Sequence, residues 1–398
     1  MKIVLINSTF WPVVGGAELI MRQLAELLTR NNHTVKVVTG IGKSSSHDYQ
    51  LELLPELSPS YPKNLKTKRA VDQGQTDHHY SDFTTELLEA LQPYYLWADI
   101  VLCHGNFTTH FNLALTEALR KLAKTRRTLV WVHDFTAKNM DYSLPNPTKH
   151  PWAMMHTKHE DVTYIAPSRF RQREIAETYH IPEKDIPVVP NGIDLHRVFG
   201  LTSEFSNWLS EQKFIERDLI FFLPARLLQR KNIDMTIIYL NAIKTELQIN
   251  PMLIISGIPG QPGDNNESYV KYLEHLISDQ FQLSGHVFIL NQCLKTSEAI
   301  WQNCLQIADV IFFLSRYEAF GLPYYEAALR KIPCWAIENE AIAQELKANT
   351  LCLTNEGDAI AAAKKLLASS KHTLSKKIMR ENNWDTIYHQ SIEPLLKN

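Results

Sequence analysis

The chain of 398 residues is short of the features that most quickly assign a function. Its five cysteines, Cys103, Cys293, Cys304, Cys334 and Cys352, are an odd number without C-x-x-C spacing. That excludes an obvious disulfide or zinc framework and reads as reduced thiols in a cytoplasmic protein. No apolar run approaches the ~20 residues of a membrane span. The opening MKIVLINSTF is too short a run for a signal peptide and fits a first β-strand. Neither sign of charge dominates: 41 Lys and Arg stand against 43 Asp and Glu, a net charge of −2, so no global field recruits nucleic acid. There is no G-x-G-x-x-G, no H-E-x-x-H and no D-x-D, so neither a dinucleotide fingerprint nor a metal site is supported.

What is present is a regular alternation of strand-like and helix-like runs, the pattern of parallel sheets with helical crossovers. KIVLIN, TVKVVTG, DIVLCHG, TLVWVHDF and VTYIAPS form a first series; LIFFLPA, MLIISG, HVFIL, DVIFFL and PCWAI form a second, joined through PVVPNGIDLHRVFG. The fold class expected is α/β, with two doubly wound, Rossmann-like domains over 1–195 and 196–375, and a terminal amphipathic helix in 376–398. Residues 41–79 read as a long irregular excursion carrying Lys63, Lys66, Lys68 and Arg69. A second irregular stretch, HDFTAKNMDYSLPNPTKHPW, follows Val132. Open parallel sheets bind ligands at the carboxyl ends of their strands, so residues just after strands carry the functional weight.

Glu318 and Glu326, eight positions apart, bracket a turn between ADVIFFL and a helix starting near Pro323. Phe320, Gly321 and Leu322 lie at that strand-to-helix junction, where backbone N–H groups and the positive helix end suit a phosphate. The carboxylates on either side can accept hydrogen bonds from sugar hydroxyls, or can simply be a surface pair. Arg226 and Lys231, in PARLLQRKN, suit a diphosphate, with Arg230 competing for the inward direction; a solvated basic turn is the plainer reading. His133, after LVWV, can bond a substrate hydroxyl or share a proton, or can cap a loop; His104 follows the neighbouring strand in the same way. Gly15 and Gly16 open the first helix and let a substrate approach the backbone, or form a plain turn.

Taken in order, GGAE, VHDF, APS, PNGID, PARLLQRKN and ADVIFFLSRYEAFGLPYYEA resemble the retaining nucleotide-sugar glycosyltransferases of family 4, which have the GT-B architecture. The resemblance implies two domains facing across a cleft, the first on the acceptor side, the second on the donor side, with Trp384 and Tyr388 returning to the first. It implies transfer of a glucose- or mannose-type hexose from a nucleoside-diphosphate sugar, such as GDP-mannose or UDP-glucose, by front-face attack without cofactor or metal. It assigns Gly15 and Gly16 to the loop near the diphosphate, His133 and Glu318 to the sugar, and Arg226 and Lys231 to the diphosphate. Phe320, Gly321 and Leu322 would offer amides to phosphate and sugar, and Glu326 would take the ribose. The acceptor would be a sugar, a phosphorylated compound or a lipid-linked one, lined by residues 41–79 and 135–152. The basic residues of 119–127 would add surface charge suited to peripheral membrane contact, or are simply solvated surface charge. Ala319 and Lys331 stand where glycine or a small residue is common, and Glu338 and Glu340 where a glycine-rich turn is. An epimerase of the same architecture, a glycan phosphorylase and a non-catalytic sugar-nucleotide binding subunit are the alternatives.

Overall fold

The computed structural model describes residues 1–397 apart from 45, 77, 258–266, 319 and 338–350. Ala319, Glu338 and Glu340 lie outside the described residues. The chain divides into two compact units, Met1–Gly192 with Asn382–Asn398, and Ile193–Glu381.

The first unit is a six-stranded, wholly parallel sheet in the order β3-β2-β1-β4-β5-β6. Its strands are β1 (Lys2–Thr9), β2 (Thr34–Ile41), β3 (Gln50–Leu53), β4 (Ile100–His104), β5 (Thr128–Trp131) and β6 (Val162–Ile165). Successive residues point to opposite faces. Val4, Ile6, Val101, Cys103 and Val130 therefore enter one core, and Ile3, Leu5, Ile100, Leu102 and Leu129 enter the other. Burial on both faces is why these strands read as continuous apolar runs.

The 41–79 stretch is more ordered than its composition implies. It contains β3, paired in parallel with β2, and the helix Pro62–Asp72, followed by the long helix His78–Trp97. β3 is a short edge strand with no buried residue, and Pro62–Asp72 buries only Asn64, Thr67 and Val71, so neither leaves an apolar signature.

The second unit repeats the architecture with the order β12-β11-β10-β7-β8-β9. The strands are β7 (Leu219–Leu223), β8 (Pro251–Ile255), β9 (Val287–Ile289), β10 (Val310–Phe313), β11 (Cys334–Ala336) and the two-residue β12 (Leu351–Cys352). Phe221 and Phe312 stack at 4.9 Å across β7 and β10, with the Trp335 ring edge-on to both.

The helix Ser370–Glu381 stays with this unit, so the part of the chain that rejoins the first unit is shorter than 376–398. Asp309, just before β10, accepts from Lys376 Nζ at 2.9 Å and from Ile220 N at 2.8 Å, and lies 3.5 Å from His372 Nδ1. Burial pushes the Asp309 carboxyl up; the bond from His372 and the charge of Lys376 outweigh it and hold the group below the usual carboxylate range. A carboxyl whose folded value is depressed adds stability above its unfolded value, near 4, and loses it as the pH falls through the folded value. Asp309→Ala is expected to cost about 3 kcal/mol at pH 7, since it strands a buried ammonium. The loss should shrink as the pH drops below about 4. Urea denaturation at both pH values checks this; an equal loss at both would remove the ion-pair explanation.

Beyond Glu381 the chain forms the turn of helix Trp384–Ile387, a π-helical turn over Tyr388–Ile392 and the helix Glu393–Lys397. The π turn interrupts what the sequence presents as one amphipathic helix. Trp384, Ile387 and Tyr388 are buried in the first unit's core. Trp384 Nε1 donates to Gln23 Oε1 at 3.0 Å, and Tyr388 Oη lies 2.8 Å from His33 Nε2. Gly192 is needed there: a Cβ would stand 2.1 Å from Trp384 Cδ2.

Candidate functional site

In the second unit, β7 and β10 are neighbours, so the loops leaving their carboxyl ends lie side by side. Arg316 N donates to Arg230 O at 2.8 Å, and Arg230 Nη1 donates to Tyr317 O at 3.1 Å. Asn232 fastens the loops from within. Buried and left-handed at φ 50°, it donates Nδ2 to Leu314 O at 2.8 Å and accepts from Arg316 Nε at 2.6 Å. Asparagine tolerates that backbone region better than most residues.

The joined loops place Lys231 Nζ against Glu318 Oε2 in an ion pair whose side chains are 11% and 22% exposed. Arg226 is exposed, and its guanidinium has no hydrogen-bond or ion-pair partner among the described residues. Gly321, at φ 72°, turns the chain into the helix Leu322–Leu329; Pro323 has no N–H and Tyr324 N donates to Gly321 O at 2.9 Å, so at the helix start it is the Leu322 amide that has no intrahelical acceptor. These groups surround a cavity of about 570 Å³ whose wall includes Arg226, Arg230, Lys231, Glu318, Gly321 and Ser256. Phe320 and Leu322 also line it, Phe320 stacked on Tyr325 at 4.7 Å. Lys331, two residues past the helix, adopts φ 61°, a backbone region that explains why glycine would suit the position.

Glu326 is not on that wall. Its Oε2 accepts from Trp301 Nε1 at 3.1 Å. Trp301 lines the large cavity and a smaller one of about 170 Å³ bounded by Leu290, Ser297 and Glu298. Ser256 is common to both cavities. Trp301 and Asn232 are the residues that sequence reasoning passed over here. Asn232 stands in the quoted PARLLQRKN motif; Trp301 gave no signal, because its place depends on helix packing far along the chain.

In the first unit, His104 pairs with Trp131 across β4 and β5, and His133 follows two residues later. His104 Nδ1 and His133 Nε2 are 2.8 Å apart, with both rings stacked against the Trp131 ring. Burial, then the neighbouring His133, holds His104 well below the usual histidine range. Burial, with the nearby Arg171 charge, lowers His133 to about 4. Both rings are therefore neutral at pH 7. Arg171 Nη2 donates to the His133 carbonyl at 3.4 Å and Nη1 pairs with Glu174 at 2.8 Å.

The histidines line a separate cavity of about 200 Å³. Gly15 and Gly16 are not on its wall; the next two residues, Ala17 and Glu18, are. Of the segments expected to line an acceptor pocket, 41–79 contributes Pro59 alone and 135–152 contributes nothing. The 135–152 stretch is anchored instead by Asp134, which accepts from Phe135 N at 2.8 Å and Tyr142 Oη at 2.7 Å.

The basic stretches are largely engaged. Lys63 pairs with Glu86, Lys68 with Asp72, and Lys121 with Glu117. Arg120 donates to the carbonyls of Met154 and Thr157, Arg126 to that of Tyr95, and Arg127 to those of Leu395 and Leu396. Among the described residues, no helix is long and apolar enough to cross a membrane, and no group of three His, Cys, Asp or Glu is placed to hold a metal ion.

Comparison with known proteins adds an independent line. The family model Glycosyltransferase Family 4 matches residues 14–197, and the model Glycosyl transferases group 1 matches 205–383. A mannosylglucosylglycerate synthase of Thermotoga maritima is 22% identical over 388 residues, covering 90% of this chain and 85% of its own. Its namesake from Petrotoga mobilis is 22% identical over 306 residues, covering 69% and 68%. Among solved structures, a glycosyltransferase from Rickettsia africae has 17% identity and a TM-score of 0.40 over 100% of this chain and 97% of its own. Anabaena HepE, solved with UDP and glucose, has 18% identity and a TM-score of 0.39 over 100% of both. With two parallel-sheet domains and a glycosyltransferase family model matched to each, the chain belongs to the family 4-like glycosyltransferases of the GT-B class.

Proposed function

We propose that this glycosyltransferase moves a hexose of the glucose or mannose type from a nucleoside-diphosphate sugar to a hydroxyl acceptor, with retention at the anomeric carbon. The observation that carries the reading is the convergence of Arg226, the Lys231–Glu318 pair and the turn at Gly321 on one cavity of about 570 Å³. Two cations and a helix start suit a diphosphate, and the carboxylate beside them suits the hydroxyls of an attached sugar. The smaller cavity, continuous in its lining through Ser256 and Trp301, would take the base. Glu326 would then act near the ribose through its position behind Trp301. The relatives' name joins a mannosyl to a glucosyl unit, which supports a hexose.

In this mechanism the bond from the anomeric carbon to the phosphate oxygen breaks while the acceptor oxygen bonds to that carbon from the same face. The departing phosphate oxygen takes the acceptor's proton. Arg226 and Lys231 neutralise the charge that grows on the diphosphate, so the protein supplies the positive charge that a metal would otherwise bring. Glu318 orients Lys231 and leaves its second oxygen for a sugar hydroxyl. His133, neutral, is a hydrogen-bonding partner for the sugar and not an ionised catalyst at pH 7.

Following the product by NMR tests the reading. The new glycosidic bond should keep the donor's anomeric configuration, and turnover should survive a chelator. An inverted product would sink the retaining mechanism, loss of turnover in chelator would sink metal independence, and epimerised donor without acceptor would favour an epimerase.

A further inference from the structure

The cavity lined by His104 and His133 differs in charge from the larger cavity of the second unit. No lysine or arginine lines it, and two carboxylates, Glu18 and Asp134, do. The rest of its polar wall is uncharged at neutral pH: amides, hydroxyls and the two neutral histidines. The cation that acts on His133, Arg171, is already paired with Glu174.

The wall is also built. Ser8 Oγ donates to Asn106 Oδ1 at 3.0 Å, and Asn112 Oδ1 accepts from Leu115 N at 3.0 Å. Each amide is thereby fixed in orientation, with its Nδ2 buried and without a partner. The ring nitrogen Nε2 of the fully buried His104 is likewise unpartnered. These residues line the cavity, while the three unmatched atoms themselves lie enclosed within its wall.

Glu18 is placed by its neighbours. Thr9 Oγ1 donates to its Oε1 at 2.5 Å, and its carboxylate lies over Gly15, where a Cβ would stand 2.0 Å from Oε2. The glycine that reads as a donor-loop residue thus leaves room for a carboxylate at the cavity wall.

A volume of about 200 Å³ equals roughly seven waters' share of liquid. That is room for a sugar ring or a short polyol. A phosphate or carboxylate placed there would meet two like charges and no counter-charge, and burying an unpaired charge is costly. A neutral hydroxyl-rich molecule brings donors to the carboxylates of Glu18 and Asp134 without adding a like charge.

We propose that this cavity is the acceptor site, that the acceptor group it takes is a neutral sugar or polyol, and that Glu18 is a specificity-determining residue that holds an acceptor hydroxyl. The proposal rests on the glycosyltransferase reading above and selects one of the acceptor classes that reading leaves open.

The test uses the full chain and measures nucleoside-diphosphate release from a nucleotide sugar. Acceptors are offered in pairs differing only in charge: glucose and glucose 6-phosphate, glycerol and glycerol 3-phosphate, glucosylglycerol and glucosylglycerate. The neutral member of the productive pair is expected to be favoured about a hundredfold or more in kcat/KM. Glu18→Gln is expected to raise the neutral acceptor's KM about tenfold, keep the donor's KM within about twofold, and narrow the preference over the anion. Preference for an anionic member, or a Glu18→Gln enzyme with unchanged acceptor KM and unchanged preference, would overturn the proposal while transfer itself stood. Failure to consume any nucleotide sugar, with any acceptor or with water, would overturn the function reading and this proposal with it.

Discussion

Replacing Arg226 with alanine is expected to lower kcat by about two to three orders of magnitude, with the melting temperature within about 2 °C of wild type. The two halves of this expectation have one origin. Arg226 is exposed and its guanidinium bonds to nothing among the described residues, so the fold does not depend on it. It lines a cavity that holds Lys231, Glu318 and a helix start, so its charge is available to whatever anion enters. A guanidinium that acts on a diphosphate only as charge accumulates there contributes to the transition state more than to the ground state. The donor's KM should accordingly change less than kcat. Normal turnover in Arg226→Ala, measured by nucleoside-diphosphate release, would remove Arg226 from the mechanism. A large fall in melting temperature would instead assign it a structural role.

Lys231 is expected to behave differently. Lys231→Ala should lower turnover at least about a hundredfold and also reduce stability by about 2 kcal/mol, because it leaves the mostly buried Glu318 carboxylate without its partner. The double variant Lys231→Ala with Glu318→Ala should recover most of the lost stability, since no charge is then stranded. It should recover none of the turnover. A double-mutant cycle in urea measures the first point. Strict additivity of the two stability losses would mean that the pair does not couple. Turnover restored in the double variant would mean that Lys231 matters only as a counter-ion to Glu318.

Central strands such as IVLCH in β4 and LIFFL in β7 are legible in sequence because both faces are buried, which forces unbroken apolar residues. The edge strands β3 and β12 escape. β3 pairs on one side only and reads QLEL, while β12 is two residues long, so neither carries a pattern long enough to recognise. Arg226, Lys231 and Glu318 could be picked out because each follows a readable strand. That β7 and β10 are adjacent, and hence that Lys231 and Glu318 touch, is a property of strand order that no local window contains.

The same limit explains Glu326 and the arginines. Glu326 points to the indole of Trp301, a contact between helices of separate crossovers. Arg126 and Arg127 look like part of a charged surface strip, yet their guanidiniums end on backbone carbonyls. A basic run in sequence gives composition; whether it faces water depends on which carbonyls the fold leaves without donors.

The first unit's core is closed by residues from the far end of the chain. Trp384 covers Gly192, and Arg127 grips the carbonyls of Leu395 and Leu396. As the polypeptide leaves the ribosome, an entire second domain is made before those residues appear. The first domain must wait in that interval with one apolar face unsealed, and it is the second, wholly continuous domain that can complete its folding without delay.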